Sequence, residues 1–174
     1  TFSENLFAGV CGIGPITKFD TTGFKVTLAA EVKDFDPLQY YDSLPEARRA
    51  DLFTQYATAA AIEAVRDSDI QGNVQPQRFG VYVGSGIGGM NTFTAETLKL
   101  DKRGPSRVSP LSSPMMISNM AAGAISMRFG AKGPSLPVVT ACATSTNTIG
   151  EAFRAIKHGY ADAIIAGGTE STIT

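Results

Sequence analysis

Residues 136 to 157 constrain the fold more than any other stretch. Leu136-Pro-Val-Val-Thr-Ala-Cys142-Ala-Thr-Ser-Thr-Asn-Thr-Ile-Gly150 begins apolar and β-branched and turns small and hydroxyl-rich, and Glu151-Ala-Phe-Arg-Ala-Ile-Lys157 follows with helical character. Val138 and Val139 favour a short buried strand. The chain must then pass from strand to helix through a tight turn that carries Cys142, at the N-terminal end of a buried helix. Free amide N–H groups and the helix macrodipole favour negative charge there. A thiol so placed gains thiolate character. Ala141, Ala143 and Ser145 are small and let a second molecule come close. Position alone leaves two readings open: a nucleophile, or a buried structural cysteine that behaves as a small hydrophobe.

Other strands and helices alternate around this unit. Phe79-Gly-Val-Tyr-Val-Gly84 and Ala163-Ile-Ile-Ala-Gly167 read as strands, and Lys25 to Val32 as an edge strand. Ser3 is placed to cap a short helix through Ala8. Ser43 is placed to cap a long one with Pro45 in its first turn and a stripe of Phe53, Ala57, Ala60 and Ala64 up to Val65. Gly88 to Leu100 reads as helix. Lys102 to Ser113 reads as a basic loop, and Met115 to Phe129 as a buried helix closed by Gly130. Strands alternating with helices predict an α/β fold with a largely parallel sheet.

Composition narrows the function classes. The chain has 174 residues, 43% hydrophobic and 18% charged, which suits a globular core and not disorder. A net charge of -1 gives no electrostatic case for nucleic acid. No apolar run is long enough for a membrane span. Thr-Phe-Ser-Glu-Asn at the start is not a signal peptide. Cys11 and Cys142, the only two cysteines, make neither a disulfide framework nor a metal site. A reducing cytoplasm is the expected location.

Two further features invite functional readings. Gly84-Ser-Gly86-Ile-Gly-Gly89 fits G-x-G-x-x-G between a strand and a helix, the context of a dinucleotide-binding fingerprint. No acidic residue follows at the expected spacing, so the alternative is a turn whose glycines let it pack against the Cys142 turn. His158 is the only histidine. If residues 145 to 158 form one helix, it lies on the order of 20 Å from Cys142, too far for a dyad, and suits a helix C-terminus instead. No other residue offers itself as a base for Cys142.

Several segments together resemble the β-ketoacyl-acyl carrier protein synthases, condensing enzymes of the thiolase-like fold. They are Gly12-Ile-Gly-Pro-Ile, Glu31-Val-Lys-Asp-Phe-Asp36, Ala47-Arg-Arg-Ala-Asp-Leu-Phe-Thr-Gln-Tyr56, Val83-Gly-Ser-Gly-Ile-Gly-Gly89, Pro114-Met-Met-Ile-Ser-Asn-Met-Ala-Ala122, Val138-Val-Thr-Ala-Cys142-Ala-Thr-Ser and Gly159-Tyr-Ala-Asp-Ala-Ile-Ile-Ala-Gly-Gly-Thr-Glu170. The resemblance covers nearly all of the chain and is nearest to the bacterial type II elongating enzymes. It implies a layered α-β-α architecture with a mixed, mostly parallel sheet. It also implies that residues 1–174 form most of the N-terminal half of a larger two-half fold, without its first strand and C-terminal half.

The implied activity is decarboxylative condensation of an acyl thioester, carried on Cys142, with malonyl-acyl carrier protein. Polyketide-type ketosynthases and catalytically silent partner subunits are the alternatives, though silent partners generally lack the cysteine. Ile87 and Ala141 are implied in the acyl pocket. Arg48, Arg49 and Arg107 are implied in docking the acidic carrier protein. Neither metal nor cofactor is implied. Homodimerisation is expected through Leu136 to Thr140 and Pro110 to Asn119. The family's histidine pair and lysine have no counterpart at matching positions here, so this chain alone is expected to be inactive. Leu111-Ser112-Ser113 stands where many fatty-acid members are bulky and aromatic, which bears on acyl length.

Overall fold

The structure is a computed structural model and describes residues 2–174. Two compact units divide the chain: residues 1–36 with 173–174, and residues 37–172. In the smaller unit, helix α1 (Phe2–Phe7) ends at Gly9, whose φ of 68° is the left-handed geometry that glycine adopts without steric cost. Because α1 starts at Phe2, Ser3 lies inside it and does not cap it. β1 (Ile13–Pro15) pairs antiparallel with β2 (Leu28–Ala30), a much shorter strand than Lys25 to Val32.

The larger unit is built on β3 (Phe79–Gly84), which pairs in parallel with β4 (Ala163–Gly168), Phe79 opposite Ala163 and Gly84 opposite Gly168. Successive side chains of a strand point to opposite faces, so each face needs its own cover. Val81 and Val83 turn toward Phe53, Ala57 and Ala61 of α3 (Leu52–Ser68) and Ala121, Ala122 and Ile125 of α6 (Met120–Phe129). Tyr82 turns the other way, onto Ala152 and Ala155 of α7 (Thr144–Lys157). The result is the α-β-α layering with a parallel pair at its centre. Full burial of side chains such as Phe53, Val81 and Ile125, all at 0% exposure, stabilises this core by roughly 1.5–3 kcal/mol each.

Sequence expectations in the larger unit are corrected at several places. Ser43 does cap a helix, its hydroxyl accepting from Glu46 N–H, but that helix, α2 (Leu44–Ala47), is short. The chain breaks at 48–51 and Asp51 caps α3 afresh, accepting from the Phe53 N–H. On α3 the buried stripe is Phe53, Ala57, Ala61 and Val65, a strict four-residue spacing; Ala60 and Ala64 face solvent. The expected helix from Met115 splits into α5 (Ser112–Met116) and α6, because Ile117 is extended at φ -68° and ψ 136°. Gly130 closes α6 as expected, with φ 62°. Helix α4 (Met90–Arg103) runs past Leu100 to take in Lys102 and Arg103.

A further correction concerns the Cys142 segment. Leu136 to Thr140 is extended but does not form a ladder. The chain hydrogen-bonds to β3 only as far as Leu136, whose N–H donates to Val81 O at 3.1 Å, with a bridge between Val81 and Ser135. Beyond it, Leu136 and Val139 are 42% and 49% exposed. Helix α7 is likewise covered on one face only: Thr148, Ala152 and Ala155 are buried, while Ile149 and Phe153 are exposed.

Candidate active site

Three chain segments end together. Gly84 closes β3, Gly168 closes β4, and residues 136–140 run beside β3 into the turn before α7. A parallel sheet gathers its ligand-binding positions at the carboxyl ends of its strands. The approach is close enough to dictate residue type. A Cβ on Gly84 would stand 2.0 Å from the Val138 carbonyl oxygen and 2.6 Å from Thr144 Cγ2. A Cβ on Gly168 would stand 2.9 Å from Ser145 Cβ. The glycines therefore seat the end of the sheet directly against the first turn of α7.

Ala141 enters that turn with φ 51°, in the left-handed region that costs an L-residue about 1–2 kcal/mol. The surroundings hold it there. Thr140 N–H donates to Thr144 Oγ1 at 2.9 Å, and Asn147 Nδ2 donates to Thr140 Oγ1 at 2.6 Å. Residues 141–143 form one tight helical turn and α7 continues from Thr144. Cys142 sits in this turn and is exposed, so the buried structural reading does not describe it. Among the described residues nothing accepts from the Cys142 backbone N–H, which leaves that donor free at the helix start.

Cys142 opens into a cleft of about 430 Å³ lined also by Ile87, Ala141, Ser145, Glu170 and Thr172. The cleft thus brings Cys142, Ile87 and Ala141 together across more than fifty residues of chain. Ile87 is 55% exposed, which is not the burial of a core side chain. Arg48, Arg49 and Arg107 lie elsewhere. Arg48 and Arg49 stand in the break between α2 and α3, not at the head of a long helix, and Arg107 ends the tight turn Pro105–Arg107. All three are exposed and have no ion pair among the described residues. His158 follows the last turn of α7, its N–H bonded to Arg154 O, at the end opposite Cys142.

The dinucleotide reading fails on hydrogen bonding. A phosphate cradle needs free amides, yet Gly86 N–H donates to Glu170 Oε2 at 2.9 Å, Gly88 N–H to Ser85 Oγ at 2.9 Å and Gly89 N–H to Met116 O at 2.8 Å. A carboxylate already stands beside the turn. Glu170 and Ser85 are the residues that sequence reasoning missed. Glu170 follows the carboxyl end of β4, a position that marks ligand-facing residues in parallel sheets, but its partner lies 85 residues away.

A cysteine thus stands on the turn from a parallel sheet into a helix and faces a cleft at the strand ends. The ishigamide ketosynthase/chain length factor superposes with a TM-score of 0.85 at 28% identity, over 98% of this chain and 43% of that one. A ketosynthase structure solved with its type II PKS acyl-carrier protein gives 0.75 at 26% identity, over 80% and 40%. The chain belongs to the beta-ketoacyl synthase family: the family's N-terminal domain matches residues 1–174. A curated relative, 3-oxoacyl-[acyl-carrier-protein] synthase 2 of Staphylococcus aureus, is 52% identical over 172 residues, or 98% of this chain. The chain spans 42% of that relative's length.

Proposed function

We propose that this chain supplies the nucleophile half of a 3-oxoacyl-acyl carrier protein synthase acting in fatty acid elongation. The observation that carries the reading is the exposed Cys142 thiol on a strained helix-start turn, facing Ile87 across an open cleft. The Cys142 thiolate attacks the carbonyl carbon of an acyl-carrier thioester, the carrier thiol leaves, and the acyl group stays on sulfur. Malonyl-carrier protein then loses carbon dioxide, its carbanion attacks the acyl-enzyme carbonyl, and the Cys142 thiolate is expelled as the 3-oxoacyl product forms. The unengaged Cys142 N–H serves as one donor to the oxyanion. Ile87 and Ala141 bound the acyl chain, and the groups that promote decarboxylation come from outside residues 1–174. The 52% identity to 3-oxoacyl-[acyl-carrier-protein] synthase 2 supports fatty acid chemistry, and the likeness to a ketosynthase of a type II PKS keeps polyketide chemistry as the second reading.

The acyl carrier protein docks on Arg48, Arg49 and Arg107. The related structure of a ketosynthase with its carrier protein supports a partner of this kind. The protein forms a homodimer through Leu136 to Thr140 and Pro110 to Asn119, supported by the exposed side chains of Leu111, Ile117, Leu136 and Val139. No helix among the described residues is long and apolar enough to cross a membrane, in keeping with work in the cytoplasm. The test uses the full-length gene product with acyl-carrier and malonyl-carrier substrates. Mass spectrometry should find the acyl group on Cys142, and Cys142→Ala should lose both the adduct and the 3-oxoacyl product. An adduct on Cys11, or product formation that survives Cys142→Ala, overturns the reading.

A further inference from the structure

Ile87 stands at the tip of a turn whose two flanking amides are both tied, and both ties lead to one carboxylate. On one side, Gly86 N–H donates to Glu170 Oε2 at 2.9 Å. On the other, Gly88 N–H donates to Ser85 Oγ at 2.9 Å, and the Ser85 hydroxyl donates onward to Glu170 Oε1 at 3.0 Å. Ser85 is fully buried, so its hydroxyl has no water to exchange with. The residues flanking Ile87 are glycines, with Gly88 at φ 81°, and beyond them Gly89 N–H is seated on Met116 O at 2.8 Å, so the two ties hold the part of the turn that this contact does not reach. A glycine turn without such ties samples many conformations. The Glu170 carboxylate can serve both ends at once only because it has two acceptor oxygens.

We propose that Glu170 is a positioning residue that sets acyl-length selectivity by clamping the Ile87 turn opposite Cys142. It acts through Ile87 and needs no contact with the reacting atoms. The inference rests on the reading of Ile87 as an acyl-pocket wall, and the clamp can be measured apart from that reading. A fixed Ile87 presents one wall position, so acyl chains above a given length meet it; a loosened one yields. Hydrogen bonds to a carboxylate are the stronger kind, which suits a clamp on a flexible turn.

Two measurements on the full-length gene product test this. Amide hydrogen exchange reads the clamp directly. Gly86 and Gly88 should exchange about tenfold or more faster in Glu170→Ala, and Gly88 alone in Ser85→Ala. Unchanged exchange at both amides overturns the clamp whatever the enzyme's activity. Kinetics then read its purpose. In Glu170→Ala the ratio of kcat/KM for long against short acyl-carrier substrates should shift by about fivefold or more. Ile87→Ala should give the same shift, and the double variant no more than either. An equal loss at every chain length, or additive effects in the double variant, overturns the role in selectivity. Glu170→Gln keeps the side chain's size but cannot accept at both ends, so it should show part of the same shift even if Glu170→Ala folds poorly.

Discussion

Replacing Asp51 by alanine should cost more stability than any other single polar change in the larger unit. Its carboxylate is 3% exposed and joins two helices that sequence alone does not connect. One oxygen accepts from Phe53 N–H at 3.4 Å and caps α3; the other accepts from Thr92 N–H at 2.7 Å and Thr92 Oγ1 at 2.6 Å in the first turn of α4. Losing the α3 cap costs about 1 kcal/mol. Leaving two buried Thr92 donors without an acceptor adds roughly 1–3 kcal/mol for the pair that cannot relax to water. The sum is about 2–4 kcal/mol, a large share of the ~5–15 kcal/mol that holds a native fold. At a urea slope of roughly 2 kcal/mol per molar, the midpoint should fall by about 1–2 M. The assay is urea unfolding of the full-length gene product followed by far-ultraviolet circular dichroism. Thr92→Val in the Asp51→Ala background should recover about 1 kcal/mol by removing an orphaned hydroxyl. A midpoint that falls by less than about 0.3 M, or strictly additive single variants, would refute the bridge.

Thr54→Val should stabilise the protein by about 1 kcal/mol in the same assay, because the buried Thr54 hydroxyl has no partner among the described residues and valine keeps its shape. Changing Arg48, Arg49 and Arg107 to Glu should raise KM for carrier-bound substrate at least about tenfold while leaving a short acyl-CoA surrogate nearly unaffected, because only the carrier presents an acidic surface; equal effects on both would remove the docking assignment. The Arg78 hydrogen bond at 2.7 Å, with the guanidinium charge behind it, holds the Asp162 carboxyl below the usual carboxylate range. A depressed folded value stabilises above the unfolded value and is lost as pH falls through the folded one. Urea midpoints should therefore drop less steeply in acid for Asp162→Asn than for the parent, and parallel acid profiles would exclude a contribution from this pair.

Legibility in the sequence followed the strength of local signals. β3 was readable because Phe79 to Gly84 is apolar on both faces and ends in glycine, and all six residues are buried. Ser43 and Gly130 were readable because caps are local chemistry. The break at 48–51 was not, since Asp51 caps α3 while bonded to Thr92, forty-one positions on. The α3 stripe slipped because alanines at 57, 59, 60, 61 and 64 offer no contrast between faces. The cleft was half readable. Cys142 and Ile87 stood out by turn chemistry and family resemblance, whereas the Glu170 clamp depends on a pairing of strands that no local pattern announces. The strain at Ala141 was equally silent, for alanine carries no preference for a positive φ.

The order of β3 and β4 has a consequence for biosynthesis. Gly84 must wait for Gly168, and 84 residues of chain separate these ladder partners. At roughly 5–20 residues per second, a ribosome takes about 4–17 s to supply the second after the first. Throughout that interval β3, apolar on both faces, has one edge without its strand, and until Pro134 and Leu136 emerge it has neither. Such an edge is a template for pairing with another chain. The nascent protein is thus most vulnerable to aggregation while Phe79 to Gly84 is out and Ala163 to Gly168 is not, and that interval is where a chaperone should be found on it.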